Sequence, residues 1–181
     1  MNSQNPVILV LGASGMLGNA VFRFFSEQSQ YQTFGSVRSS ASSQMLPENL
    51  RHHIIAGADV GNQDSLIGVF EKVRPQVVIN FIHLSTDCVF TGKTGLYTEE
   101  SAPDARDLYG LSKLLGEVSY PNSVTLRTSI IGHELEGAHS LICWFLSQKN
   151  SVRGFSKAIF SGLPTVEIAR VIAEYVIPNT Q

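Results

Sequence analysis

The chain has 181 residues, 43% apolar and 15% charged, a composition that suits one compact domain, or one with a small appendage, and excludes a disordered chain. At this length folding buries roughly 70% of the extended surface, enough for a true core. Thirteen Lys and Arg against fifteen Asp and Glu give a formal charge of −2, so no overall basic field favours nucleic acid or an anionic membrane as partner. Cys88 and Cys143 are too few for a disulfide framework and lack zinc spacing, and a reducing compartment is expected. The N-terminal six residues carry no basic side chain, and no apolar run approaches the roughly 20 residues of a membrane span. The sequence reads as a soluble, cytoplasmic protein.

Residues 7–11 form a short β-branched run, as expected of a strand covered on both faces. A glycine-rich turn follows, and then a helical pattern with Leu17, Val21, Phe24 and Phe25 on one side. Residues 33–37 predict a second strand, 39–43 a serine loop, and 53–56 a third strand ending near Asp59 and Val60. Asn62 or Asp64 caps a helix carrying Leu66, Ile67, Phe70 and Val73, which Pro75 stops. Residues 76–80 predict a fourth strand. The alternation argues for an α/β fold, a doubly wound parallel sheet of Rossmann type.

Residues 77–86 then read as two strand patterns with no helix between them, although neighbouring parallel strands need a crossover of about a dozen residues. Either one long strand runs here, or a crossover segment is absent between Asn80 and Phe81. Residues 91–106 predict a surface loop, 109–118 a helix, and 124–131 a single apolar strand. Residues 141–146 predict a short helix. Its Trp144, Phe145 and Leu146 either face the sheet or edge a substrate lobe or subunit contact. Thr165 caps a last helix carrying Ile168, Val171, Ile172 and Val176.

Gly12, Gly15 and Gly18 repeat every third residue between a buried strand and a helix, the context in which glycine spacing points to a dinucleotide. Gly12 permits the turn, Gly15 lets pyrophosphate reach the backbone, and Gly18 lets helix and strand pack closely. The helix N-terminus offers unpaired N–H groups to the phosphates. Twenty positions on, where NAD would call for a carboxylate, stands Arg38. A guanidinium there suits a 2′-phosphate and favours NADP(H).

Tyr109 and Lys113 lie one turn apart on a helix face, where the ammonium supports a phenol that donates its proton to a carbonyl as hydride arrives at carbon. The five histidines show no metal spacing, and no metal site is expected. Cys88, in an apolar run, is expected to be packed.

The glycine loop, the stretch Ser85-Thr86-Asp87-Cys88-Val89-Phe90 and the run from Tyr109 to Glu117 resemble the extended short-chain dehydrogenases/reductases. The nearest branch is the sugar-nucleotide one typified by dTDP-4-dehydrorhamnose reductase. Tyr97-Thr98-Glu99 before Pro103 and the stretch from Leu126 to Gly132 are similar to the same branch. The resemblance implies reduction of a 4-keto sugar nucleotide by NADPH. Thr86 would bond the substrate carbonyl, Tyr109 would be the acid, and Lys113 would orient the ribose. Gly12, Gly15 and Gly18, with Met16 and Leu17 in the same loop, would meet the pyrophosphate. Ser14 and Arg38 would lie near the adenosine phosphate, Asp59 and Val60 at the adenine, and Asn80 on the nicotinamide side.

It further implies that residues 1–131 form the NADP-binding domain and 132–181 a small, truncated substrate lobe, with a crossover missing between residues 80 and 81. Two other functions stay open. One is a non-catalytic NADP-binding or regulatory subunit of the same fold. The other is an epimerase or dehydratase with tightly held NAD, against which Arg38 weighs. Homodimers are compatible with the fold class.

Overall fold

The computed structural model describes residues 5–79, 82–121 and 123–179. β1 (Val7–Val10) leads through the glycine turn into α1 (Met16–Ser26). β2 (Gln32–Val37) is followed by the short α2 (Ser40–Gln44), a 3-10 stretch (Glu48–His53) and β3 (Ile54–Ala56). α3 (Gln63–Val73) then returns the chain to β4 (Val77–Ile79). These four strands make one parallel sheet in the order β3-β2-β1-β4, with Ile8 opposite Thr33 on one side and Val77 on the other. That order is the first half of a doubly wound sheet.

The all-apolar β1 reflects cover on both faces. Ile8 and Val10 pack with Val21, Phe22 and Phe25 of α1, while Leu9 points the other way against Val69 and Val73 of α3. α3 starts where the sequence places it, at Asn62, whose side chain accepts the Ser65 N–H at 3.1 Å. It ends on Arg74 in the left-handed region, one residue before Pro75. The serine loop expected at 39–43 is mostly helix, because the Ser39 hydroxyl accepts the Ser42 N–H and caps α2.

The second half is less regular. β5 (Ile82–Leu84), α4 (Leu108–Leu115), β6 (Val124–Leu126), β7 (Ile130–Ile131), α5 (Leu141–Ser147), β8 (Leu163–Pro164) and α6 (Thr165–Val171) follow in order. β5 pairs with β6 and β7 with β8, each as a two-stranded parallel sheet, and among the described residues no ladder joins β4 to β5. Asn80 and Phe81, where the missing crossover is expected, lie outside the described residues.

Three expectations change here. The single strand at 124–131 is two strands in different sheets. Arg127 leaves the ladder to bind Glu117, and the Ser129 carbonyl accepts the Leu163 N–H at 3.0 Å instead. Thr165 opens α6 rather than capping it. On α5 only Ile142 and Cys143 turn partly inward, so Trp144, Phe145 and Leu146 do not pack against a sheet but stand exposed. α6 lies across α1, and with the π-helical turn after it (Ile172–Val176) it buries Ile168, Ala169 and Ile172 in the larger core cluster. No helix among the described residues is long and apolar enough to cross a membrane.

Candidate functional site

The glycine loop is built by packing. Gly12 sits at φ +74°, a conformation that side chains disfavour. A Cβ on Gly18 would overlap the Gly12 carbonyl oxygen and lie 2.9 Å from its carbon. The loop is tied to the neighbouring strand by the Ala13 N–H, which donates to the Ser36 carbonyl at 2.8 Å. Gly15 caps α1 without a side-chain partner, and the first turn holds no acidic residue, so the amides at Met16 and Leu17 face an uncontested position for an anion. Ser14 is half-buried beside them, and the Leu17 side chain packs on the core, leaving only its backbone toward the loop.

The ends of β2 and β3 flank this loop. Arg38, directly after β2, is exposed, and its guanidinium has no partner among the described residues. The Ala58 N–H donates to the Val37 carbonyl at 3.1 Å, which sets Asp59 and Val60 beside it. The Asp59 carboxylate accepts the Gly61 N–H at 3.0 Å, and the Val60 side chain is exposed. Close glycine packing, a bare helix N-terminus and an unpaired cation fit a dinucleotide.

The second cluster forms where β5 ends. The Ser85 N–H donates to the Leu126 carbonyl at 2.9 Å, and Thr86 caps a 3-10 turn (Asp87–Val89). α4 is seated on this turn through Gly110. A Cβ there would overlap the Cys88 carbonyl oxygen and lie 3.2 Å from its carbon. Asp107 caps the helix, its carboxylate accepting the Gly110 N–H at 2.9 Å. Tyr109, on one side of Gly110, is 56% exposed, and Lys113 stands half-buried a turn further on.

Thr86 does not face an open space. It is 3% exposed, and its hydroxyl donates to Asp87 Oδ1 at 3.2 Å while accepting the Cys88 N–H at 3.2 Å. Asp87, which the sequence does not mark as a site residue, is the hub of this corner. It also accepts from Ser129 Oγ at 2.5 Å and Ser161 Oγ at 3.3 Å. Cys88 is exposed rather than packed, because the apolar run is a tight turn that sends only Val89 inward. Gly110 is the other residue missed, though a glycine inside a predicted helix is a signal of close approach.

A cleft of about 760 Å³ opens beside the turn, walled by Phe90, Tyr97, Glu99, Arg127, Ser161 and Ile168. Phe90 and Tyr97 stack with centroids 4.3 Å apart, and Arg127 lies over the Phe90 ring at 5.3 Å. Arg127 also grips Glu117 at both ends of the carboxylate, at 2.9 and 2.7 Å. Those hydrogen bonds hold the Glu117 carboxyl below its ordinary pKa, against the opposing effect of burial. A carboxyl lowered in the fold stabilises it above the unfolded value near ~4.3, and that contribution fades as pH falls through the folded value. Glu117→Gln is therefore expected to cost about 1–3 kcal/mol at neutral pH. The gap between the urea midpoints of variant and native chain should shrink on acidification. Among the described residues no three His, Cys, Asp or Glu side chains are placed to hold a metal.

The fold is that of an α/β protein of the short-chain dehydrogenase/reductase kind, and the comparisons place the chain in its sugar-nucleotide branch. Residues 8–82 match the NAD dependent epimerase/dehydratase family, and residues 79–178 match the RmlD substrate binding domain. The chain belongs to the RmlD family, as the motifs anticipate. It is similar to methionine adenosyltransferase 2 subunit beta of Danio rerio, at 27% identity over 169 residues, 71% of this chain and 49% of that protein. It also resembles the spore coat polysaccharide biosynthesis protein SpsK of Bacillus subtilis, at 33% identity over 98 residues, 51% of this chain and 35% of that protein. The chain spans about half the length of the first of these relatives and about a third of the second. The UDP-N-acetylglucosamine 4-epimerase of Bacillus cereus superposes with a TM-score of 0.54 at 17% identity, covering 97% of this chain and 74% of that one, which bears on the fold alone. The family implies a nicotinamide cofactor.

Proposed function

We propose that the chain is an NADPH-dependent reductase of a 4-keto nucleotide sugar, similar in chemistry to dTDP-4-dehydrorhamnose reductase. The observation that carries this reading is the seating of α4 on the 3-10 turn by Gly110, with Tyr109 directly before that contact and Lys113 one turn on from Tyr109 along the same helix face. NADPH supplies the hydride when bound. The Tyr109 hydroxyl donates a proton to the carbonyl oxygen, and the Lys113 ammonium steadies the charge left on the phenol oxygen and holds the ribose hydroxyls. Thr86 offers its hydroxyl hydrogen to the same carbonyl once the bond to Asp87 opens. In this reading residues 1–131 carry the cofactor and the acid, and residues 132–181 contribute to the substrate side.

The unpartnered Arg38 supports NADP over NAD, and over an epimerase with a resident cofactor. Arg38→Ala is expected to weaken NADPH binding by about 10–100-fold and leave NADH binding unchanged. Titration of both cofactors against both chains measures this.

Two observations favour a second reading, a nucleotide-binding regulatory subunit. Thr86 is buried with its hydroxyl committed on both sides, and several relatives are named as subunits. Incubation of the purified chain with NADPH and dTDP-4-dehydrorhamnose separates the two. Loss of NADPH absorbance in step with loss of the keto sugar supports the reductase. Cofactor binding without turnover favours the subunit.

A further inference from the structure

The charge of this chain is unevenly distributed. Residues 137–166 contain Lys149, Arg153 and Lys157 and no Asp or Glu. The other ten Lys and Arg and all fifteen Asp and Glu lie elsewhere, so a segment of +3 is joined to a body of −5. The three cations fall at every fourth position, are exposed, and make no ion pair or hydrogen bond among the described residues.

The same segment carries the largest run of exposed apolar side chains. Every residue from 144 to 161 is exposed, with Phe155 at 85% and Ile159 at 95%, and Trp144 and Phe160 about half so. Exposed apolar surface of this extent marks an interaction site. The backbone between α5 and β8 is irregular, and basic and apolar side chains alternate along it. A folded protein partner calls for an apolar centre inside a polar rim, which this order does not provide. Trp144, Phe145, Phe155 and Phe160 offer rings on which bases could stack, but nucleic acid also calls for a broad basic field, and three cations on a body of −5 do not supply one. Cations interleaved with aromatic and aliphatic side chains match the boundary of a lipid leaflet, where phosphates meet the charges and the apolar groups enter the first acyl carbons.

We propose that residues 144–160 are a peripheral docking surface for anionic phospholipid. The acidic remainder of the chain is repelled by the same leaflet, so the segment also sets which side of the molecule meets the lipid. The whole-chain charge of −2 conceals this arrangement.

Trp144 is the only tryptophan and reports on the surface directly. The full chain is mixed with vesicles of phosphatidylcholine alone, or of phosphatidylcholine with phosphatidylglycerol, and followed by Trp144 emission and co-sedimentation. The expected result is a blue shift and co-sedimentation with the anionic vesicles only, reversed by high salt. The triple variant Lys149→Gln, Arg153→Gln, Lys157→Gln should partition about 100-fold more weakly. Its thermal unfolding should be unchanged, since none of the three holds a partner. Phe155→Ser with Ile159→Ser should keep the salt-sensitive attraction and weaken the partitioning. Equal binding to both vesicles, no binding, or a triple variant that binds like the native chain overturns the proposal. So does a concentration-dependent dimer that shields Trp144 without lipid.

Discussion

Tyr109→Phe is expected to leave the protein folded and to lower the proposed reductase turnover by about 10²–10⁴-fold, the usual contribution of a positioned general acid. The ring is 56% exposed, and its hydroxyl has no partner among the described residues, so removing the oxygen breaks no internal bond. Stability should stay within about 0.5 kcal/mol of the native chain. Binding of NADPH should also persist, because the glycine loop and Arg38 are untouched. A variant that keeps the thermal shift on NADPH and loses turnover assigns the proton to Tyr109. A variant that turns over within about twofold of the native chain removes Tyr109 as the acid, since a positioned acid contributes far more.

Gly18→Val should be the most damaging single change to the fold. The nearest atoms the new Cβ meets are all backbone, namely the Gly12 carbonyl and Ala13 Cα at 3.3 Å, and no flexible side chain can give way. Gly12 is held at φ +74° and Ala13 is bonded to Ser36, so the loop cannot retreat. α1 must lift instead, taking Phe22 and Phe25, both fully buried, out of register with the sheet. Overpacking of this kind costs about 3 kcal/mol, equivalent to about 10 °C in melting temperature for a chain of this size. Gly15→Ala provides the contrast. Its Cβ meets only the Gly12 oxygen, at 3.4 Å, and its backbone is already extended. It should melt close to the native chain while losing affinity for NADPH, because the methyl occupies the approach to the phosphates. If Gly15→Ala binds NADPH normally, the pyrophosphate does not sit over that residue.

The sequence announces those parts of the molecule that are set by local chemistry. A β-branched run, three glycines at fixed spacing and an amphipathic helix are each written within a dozen residues, and β1, the loop and α1 appear where they are expected. Asn62 and Pro75 bracket α3 for the same reason, since a cap and a helix stop act on their neighbours. The misreadings depend on distant partners. Nothing in residues 124–131 tells that Arg127 will turn aside to Glu117 and divide the strand. Thr86 sits in a recognisable motif, but its saturation depends on Asp87, which is itself held by Ser129 and Ser161 from another part of the chain. α5 has a pattern fit for burial, and only the three-dimensional arrangement leaves Trp144 and Phe145 uncovered. Gly110 was legible in principle, as a residue that weakens a helix unless something packs against it.

Thermal unfolding of the purified chain with NADPH, with NADH and with neither tests the nucleotide site most directly. Ligand at about 100 times its dissociation constant adds about 2.7 kcal/mol, or about 5–10 °C at this size. The glycine loop and the free Arg38 predict one cooperative transition, raised by NADPH and raised far less by NADH. A cooperative transition indifferent to both cofactors would contradict the account at its centre.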